Sequence, residues 1–142
     1  MHVEAITEVT EELQDALQVL LPQLSLRKPP GESELQALVE SDSSTLFVAR
    51  GQDGSIIGTA CLAVYRAPTG IRAVIEDVVV DGAARRQGAG EALTRACLNL
   101  ARARGASAAT LTSNPVRQEA NRLYLRMGFT RRSTNDYIYR FS

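Results

Sequence analysis

Residues 75–93 read IEDVVVDGAARRQGAGEAL, and this stretch decides how the chain is predicted to fold. The β-branched residues at its start predict the end of a strand, and the alanine-rich segment after Gly90 predicts a helix. Gly88 and Gly90 lie in the turn between this strand and this helix, at the point where the helix begins. The backbone N–H groups of a first helical turn lack intrahelical acceptors, so such a turn favours an anion. Arg85 and Arg86 add positive charge, and phosphate oxygens suit this arrangement.

The segments before this turn predict four strands and two helices. Strands are predicted at residues 3–6, 46–50, 56–66 and 71–80, and helices at residues 11–21 and 32–41. Thr10 is placed to cap the first helix, and Asp53-Gly54 and residues 67–70 are typical of hairpin turns.

The segments after the turn continue with alternating helices and strands. A helix is predicted over residues 88–104, with Gly105 at its end and an apolar stripe formed by Ala89, Ala92, Leu93, Ala96, Cys97, Leu100 and Ala103. A strand at 108–112, a helix at 116–127 ended by Gly128, and strands at 129–131 and 136–141 follow. The order β-α-α-β-β-β-α-β-α-β-β predicts one domain over residues 1–142, with a mixed sheet and not a doubly wound one.

The amino-acid composition excludes several classes of catalytic and metal site. Sixteen basic and sixteen acidic residues cancel, so no net charge recruits nucleic acid or an anionic membrane. His2 is the one histidine and stands at a terminus, which argues against a Ser-His-Asp triad or a multi-histidine metal site. Cys61 and Cys97 are too few and too far apart for a disulfide framework or a zinc site. We expect a reduced, cytoplasmic protein without a metal, a nucleic-acid partner or a membrane span.

Acidic and basic side chains are nevertheless separated along the chain. Residues 1–42 hold nine acidic and two basic side chains, whereas residues 85–142 hold eleven arginines and three acidic side chains. Two interpretations stay open: solvated faces that neutralise one another, or a carboxyl-terminal half that binds a polyanion such as a nucleotide cofactor.

Two common phosphate-binding motifs do not fit the turn. A dinucleotide-binding turn needs a third glycine or alanine where Leu93 stands, and an early βαβ unit. A P-loop needs Gly-Lys followed by Ser or Thr, and the only lysine is Lys28. The pattern that fits is Arg/Gln-x-x-Gly-x-Gly/Ala, which Arg85, Gly88 and Gly90 satisfy.

Through these residues the chain resembles the GNAT superfamily of N-acetyltransferases, whose diphosphate loop for acetyl-CoA has this form. A second segment, TSNPVRQEANRLYLRMGF at residues 112–129, resembles the family motif in which a tyrosine-bearing helix runs into Gly-Phe. The predicted order of elements is similar to the family fold over essentially the whole chain. The resemblance implies an α+β fold: a central mixed, twisted sheet of about seven strands, helices on both faces, and a splay between the fourth and fifth strands.

The resemblance also implies a set of cofactor contacts. The pantetheine arm of acetyl-CoA would enter the splay, with backbone hydrogen bonds to Val78 and Val80 and an oxyanion-stabilising N–H near Val79. The diphosphate contacts would come from Arg85, Arg86, Gln87, Gly88, Ala89, Gly90 and Glu91. Asn114, Arg117 and Asn121 would line the other side of the cofactor. Arg117 departs from the family pattern, since many relatives have an asparagine there.

For catalysis, the resemblance gives Tyr124 the position of the general acid that protonates the CoA sulfur, and it implies direct attack by a primary amine. The alternative for Tyr124 is a core aromatic residue. Glu76 and Asp77 are the candidates for the base, and strict alternation predicts that they face opposite sides, with Glu76 sharing a side with Val78 and Val80. A structural ion pair with an arginine is an equal alternative for either carboxylate. Residues 75–80 also resemble the hexosamine-phosphate branch of the family.

Two other functions stay open beside N-acetyl transfer: a CoA-binding regulatory module without turnover, and a peptide or protein binder that uses the basic carboxyl-terminal face. The acceptor is open as well. Arg27, Lys28, Arg131 and Arg132 suit an anionic amine such as an amino acid or a sugar phosphate, whereas Glu32 and Glu34 suit a peptide or a polyamine. A homodimer is compatible with the resemblance, although no sequence signal selects it.

Overall fold

A computed structural model describes residues 1–142. The chain divides into two compact units, Met1–Thr112 and Ser113–Ser142. The first unit contains β1 (His2–Ala5), α1 (Glu11–Leu20), α2 (Glu32–Glu40), β2 (Ser44–Arg50), β3 (Ile56–Ala67), β4 (Gly70–Val80), α3 (Ala89–Ala103) and β5 (Ala109–Thr110). Short 3-10 turns lie at Leu21–Gln23 and Gly82–Ala84. The second unit contains α4 (Gln118–Met127). The predicted order of elements is confirmed as far as α4.

The five strands form one mixed sheet in the order β1-β2-β3-β4-β5. Neighbouring strands from β1 to β4 are antiparallel, and β4 and β5 are parallel. The β4–β5 ladder pairs only Ala73 with Ala109 and Val74 with Thr110, although β4 continues to Val80. The two strands therefore part after Val74, which agrees with the splay expected between the fourth and fifth strands.

Apolar side chains cover both faces of this sheet. On one face Leu13 and Leu17 of α1 and Leu35 of α2 pack with Leu46 and Val48 of β2. On the other face α3 lies against the sheet, because its Leu93 approaches Gly58 of β3 so closely that a Cβ at position 58 would lie 3.1 Å from Leu93 Cδ1. The helices therefore lie on both faces of the sheet.

The helix ends follow the predicted rules. Thr10 Oγ1 accepts the Leu13 N–H at 3.1 Å and caps α1. Gly105 and Gly128 take left-handed conformations (φ +93° and +104°) after α3 and α4. In α3 the buried stripe is Ala89, Leu93, Thr94, Cys97 and Ala101, so the predicted stripe is wrong at Ala103, which is exposed. No helix of the structure has the length and apolar character needed to cross a membrane.

The sheet has five strands instead of the predicted seven or so. Residues 129–131 and 136–141 form no strand, and Tyr137 and Phe141 are 86% and 92% exposed. Strands are predicted here, but a strand also needs a hydrogen-bonded neighbour, and the structure gives these residues none. The aromatic rings of Tyr139 and Phe141 instead contact each other edge to face, with centroids 5.6 Å apart.

Arg50, at the end of β2, joins three elements of the first unit. Its guanidinium donates to Glu4 Oε1 of β1 at 2.7 Å and to both carboxylate oxygens of Glu12 in α1 at 2.9 and 3.0 Å. It also donates to the Gly54 carbonyl oxygen at 2.8 Å. These hydrogen bonds to Arg50 lower the pKa of Glu4 and of Glu12 below their ordinary value. The network therefore stabilises the fold while both carboxylates are ionised.

We expect Arg50→Ala to lower the thermal unfolding midpoint at neutral pH, because it leaves two glutamates without their cation. The pKa of each glutamate is lowered by folding, so this stabilisation is complete above the ordinary value of 4.5 and is lost as the pH falls through the lower folded value. The difference between the wild type and the variant should therefore shrink in acid. The control is Arg66→Ala, since Arg66 is exposed and has no carboxylate partner. A pH-independent difference would contradict this account.

Candidate functional site

The chain leaves the sheet at Asp81. The Asp81 N–H donates to the Ile57 carbonyl oxygen at 2.8 Å and continues the β3–β4 pairing by one residue. The Asp81 carboxylate then accepts the Ala83 N–H at 3.1 Å, which caps the 3-10 turn Gly82–Ala84. Arg85 follows this turn directly. We call residues 85–91 the anion loop.

The anion loop opens the helix α3 with its first amides exposed. Arg86 and Gly88 have left-handed backbones, with φ +68° and +82°. The first hydrogen bond inside α3 runs from the Ala92 N–H to the Gly88 carbonyl oxygen at 3.0 Å, and Gly88 supplies no side-chain cap. The amides of Ala89 and Gly90 therefore have no acceptor within the helix. Together with the helix dipole, this arrangement suits the oxygens of a phosphate.

The side chains of the anion loop support the same chemistry. Arg85, Arg86, Gln87 and Gly88 are exposed, whereas Ala89 is buried and anchors the helix start. Thr94, fully buried in the next turn, donates its hydroxyl to the Gly90 carbonyl oxygen at 2.7 Å. The loop is thus attached to the core at its helical end and presents two arginines to solvent.

A β-bulge interrupts β4 just before the anion loop. Cys61 pairs with Glu76 and Thr59 pairs with Val79, so β4 has one residue more than β3 between these pairs. Asp77 takes up the extra residue with a left-handed backbone, φ +52°. Cys61 and Thr59 lie on one face of β3, so their partners Glu76 and Val79 share a face.

The bulge reverses the alternation of side chains along β4. Val80 pairs with Gly58, which lies on the opposite face of β3 from Thr59. The prediction that Glu76 shares a side with Val80 is therefore wrong, because the inserted residue reverses the alternation. Glu76 instead faces the side of the sheet that α1 and α2 cover. Val79, on the same face, is 4% exposed, and Val78 and Val80 are half-buried.

Three titratable groups lie close together at the bulge. Partial burial, and then the charge of Asp77, raises the pKa of Glu76, whose side chain nevertheless reaches solvent. Burial, and then the charges of Asp77 and Glu76, raises the pKa of the Cys61 thiol to about 11. Burial also raises the pKa of Cys97 in α3, to about 12. Both thiols are therefore protonated at neutral pH and are poor nucleophiles, whereas Glu76 has the character of a weak base.

The second unit carries the other predicted site residues on and before α4. Tyr124 is 6% exposed and contacts Phe129 edge to face, with ring centroids 5.6 Å apart. The Phe129 N–H donates to the Tyr124 carbonyl oxygen at 3.0 Å, so the helix end fixes this pair. The ring of Tyr124 is thus a packed aromatic group in a defined position.

Asn114 and Asn121 hold the entrance of α4. Asn114 Oδ1 accepts the Val116 N–H at 3.0 Å, and the Asn114 carbonyl oxygen accepts the Arg117 N–H at 3.0 Å. The Asn121 side-chain amide donates to the same carbonyl oxygen at 3.1 Å. Arg117 occupies the N-cap position of α4. Both asparagines therefore have a structural role that the sequence analysis did not include.

The predicted site residues thus fall into two groups, each within its own unit. Glu76, residues 78–80 and the anion loop follow one another along the end of β4 and the start of α3. Asn114, Arg117, Asn121 and Tyr124 lie within eleven consecutive residues of the second unit.

The comparison with known proteins identifies the family. Residues 6–129 match the family model described as the acetyltransferase (GNAT) family. The chain belongs to the GNAT family. The resemblance inferred from the two motifs is therefore confirmed.

Individual relatives of this GNAT chain include a curated enzyme and solved structures. Streptothricin acetyltransferase of Streptomyces lavendulae is 40% identical over 90 residues, which are 63% of this chain and 46% of that protein. The chain thus spans about half the length of that relative. A transcriptional regulator from Bacillus halodurans has a TM-score of 0.75 at 28% identity, covering 99% of this chain and 100% of the other. An aminoglycoside acetyltransferase from an uncultured soil metagenomic sample has a TM-score of 0.81 at 20% identity, covering 99% and 95%.

In this GNAT chain the feature that sequence reasoning missed is the bulge. The run Glu76-Asp77-Val78 contains no glycine, so it gives no direct signal for a left-handed residue. Aspartate tolerates this conformation better than most residues, and this tolerance is the one hint that the sequence contains.

Asp77→Val tests the bulge. A β-branched side chain at φ +52° is strained, and we expect the free energy of unfolding to fall by about 1–2 kcal/mol, as measured by urea denaturation. Arg72→Val is the control, since Arg72 is exposed on the same strand without a positive φ. Equal stability of the two variants would show that position 77 is not left-handed.

Proposed function

We propose that this chain is an acetyl-CoA-dependent N-acetyltransferase, acting as a single catalytic domain over residues 1–142. In the proposed reaction the acetyl group passes directly to a primary amine in a ternary complex. The observation that carries the proposal is the exposed first turn of α3, entered through the left-handed Gly88 and flanked by Arg85 and Arg86. It is a site for a diphosphate in a chain of the GNAT family.

In the proposed complex the anion loop binds the diphosphate of acetyl-CoA. The parting of β4 from β5 after Val74 supports insertion of the pantetheine arm beside Val78 and Val80, where it would pair like an added strand. A backbone N–H near Val79 would stabilise the oxyanion, an effect on the order of 3 kcal/mol per donor. Asn114, Arg117 and Asn121, at and near the start of α4, are proposed to contact the cofactor.

The proposed chemistry needs one acid and one base. The amine nitrogen attacks the thioester carbonyl carbon, the C–S bond breaks, and the phenol of Tyr124 gives its proton to the leaving thiolate. Glu76 takes the proton that the amine loses, either directly or through water. The raised pKa of Glu76 supports this role, since the group is a stronger base than an ordinary carboxylate. The protonated thiols of Cys61 and Cys97 support direct transfer over an acyl-enzyme.

For the acceptor we propose a small cationic molecule bearing a primary amine. The names of two relatives, a streptothricin acetyltransferase and an aminoglycoside acetyltransferase, support a small-molecule acceptor. The adjacent carboxylates of Glu76 and Asp77 support an ammonium group at the bulge. Free Cys61 and Cys97 support a reducing compartment such as the cytoplasm. An assay of thiol release from acetyl-CoA over a panel of amines, including amino acids, sugar phosphates, polyamines and aminoglycosides, tests this choice.

A second candidate function is CoA binding without turnover. The observation that favours it is the likeness to a solved structure named as a transcriptional regulator. The two candidates differ in whether thiol is released when acetyl-CoA and an amine are both present.

Tyr124→Phe separates the two candidates. We expect kcat to fall by about 100-fold, because the variant cannot protonate the thiolate, while the Kd for acetyl-CoA from calorimetry stays unchanged. Tyr65→Phe is the matched control, because Tyr65 is an exposed tyrosine of β3. An undiminished kcat in Tyr124→Phe would remove Tyr124 from the mechanism. Heat of CoA binding without any thiol release from the wild type would favour the regulatory module.

The pH profile identifies the base. Because Glu76 must be deprotonated to act, kcat/KM should rise with pH through its pKa, which lies above the ordinary 4.5. Glu76→Gln should lower kcat/KM by about 100-fold and remove this acidic limb. Asp77→Asn should keep the limb and move it to lower pH, because the charge of Asp77 contributes to raising the pKa of Glu76. A limb that survives in Glu76→Gln and disappears in Asp77→Asn would assign the base to Asp77.

A further inference from the structure

One side chain attaches the segment after α1 to the base of the anion loop. Gln23 Oε1 accepts the Gly82 N–H at 2.9 Å, and Gln23 Nε2 approaches Asp81 Oδ1 at 3.4 Å. Gln23 Nε2 also donates to the Val19 carbonyl oxygen of α1 at 3.1 Å. The single amide group thus joins α1 to the first two residues after β4, about sixty positions later in the sequence.

The two residues that Gln23 contacts determine where the anion loop begins. Asp81 ends the β3–β4 pairing through Ile57 and caps the 3-10 turn through Ala83. Gly82 opens that turn, and its N–H has Gln23 as its acceptor. Arg85 follows the turn directly. A displacement at Gly82 is therefore passed to the anion loop within three residues.

Gln23 is itself held in place before it makes these contacts. It ends the 3-10 turn Leu21–Gln23, which begins beside Pro22, and the Leu24 N–H donates to the Leu21 carbonyl oxygen at 2.9 Å. The bond to Val19 orients the side-chain amide from the α1 side. Gly88 supplies no side-chain cap to α3, whereas at the other end of the anion loop the Asp81–Gly82 segment is attached to α1 through Gln23.

We propose that Gln23 is a positioning residue for the diphosphate of the acyl donor. This inference rests on the proposed function, because it assumes that the anion loop binds acetyl-CoA. Gln23 touches neither donor nor acceptor in this account. It limits the conformations of residues 82–85, so that less ordering is needed when the diphosphate binds.

Two acyl donors separate this role from a general loss of structure. Acetyl-CoA carries the diphosphate, and S-acetylpantetheine carries the same thioester and pantetheine arm without it. In Gln23→Ala we expect kcat/KM for acetyl-CoA to fall about tenfold, mainly through KM, in line with the loss of two hydrogen bonds. We expect kcat/KM for S-acetylpantetheine to stay within twofold of the wild type, because this donor makes no contact that depends on Gln23.

The control is Gln14→Ala, at a half-buried glutamine whose side chain donates only to the Thr10 carbonyl oxygen within α1. Gln14→Ala should change kcat/KM for neither acetyl-CoA nor S-acetylpantetheine. Asp81→Ala removes the other side of the attachment and should reproduce the selective loss. If Gln23→Ala does not fold, Gln23→Glu serves in its place. It retains an acceptor for Gly82 but places a carboxylate against that of Asp81, and we expect the same selective loss.

The outcomes distinguish this inference from the function on which it rests. A wild type that shows no preference for acetyl-CoA over S-acetylpantetheine would overturn the proposed diphosphate site. A wild type with a strong preference that Gln23→Ala retains, or equal losses on both donors, would overturn the role of Gln23 and leave the function standing. Equal losses would mean that Gln23 is a structural residue only.

Discussion

The proposed site depends on where the β3–β4 pairing ends. The last bond of this pairing runs from the Asp81 N–H to the Ile57 carbonyl oxygen, and after it the chain must turn away from the sheet. The β4–β5 pairing has already stopped at Val74, so the end of β4 has a neighbour strand on one side only. The part of β4 that β5 no longer accompanies and the exposed start of α3 therefore follow one another along the chain.

The packing of α3 fixes the other end of the anion loop. Leu93 is fully buried, and Gly58 is the residue of β3 that lets it approach, since a Cβ there would lie 3.1 Å from both Leu93 Cδ1 and Val79 O. This contact sets the distance between α3 and the sheet in the turn next to the anion loop. The amides that face an anion are thus placed by apolar packing and not by the charges of Arg85 and Arg86.

Much of the fold could be predicted because periodicity and turn residues report local structure. The boundaries of α1, α2, β3 and β4 agree within one or two residues, and the loop at Gly88 was recognised from its glycines. The bulge at Asp77 and the contacts of Gln23 could not be predicted, because both depend on residues distant in sequence. Thr94 was missed in α3 because its hydroxyl is satisfied by Gly90, which a hydrophobic pattern does not report. The strands expected near the carboxyl terminus failed for lack of a pairing partner.

The bulge also restricts how this chain can change in length. Every side chain from Gly70 to Glu76 keeps its face only while Asp77 supplies the inserted residue. If that one residue were deleted, the side chains of Ala73 and Ile75 would point away from the core and that of Arg72 would point into it. A deletion within β4 therefore moves the side chains of residues 70–76 to the opposite face of the sheet. The exposed tip at Pro68 and Thr69 carries no such restriction. A length change at the hairpin tip leaves the register of β4 intact, and the separation between the carboxylates and the start of α3 then stays the same.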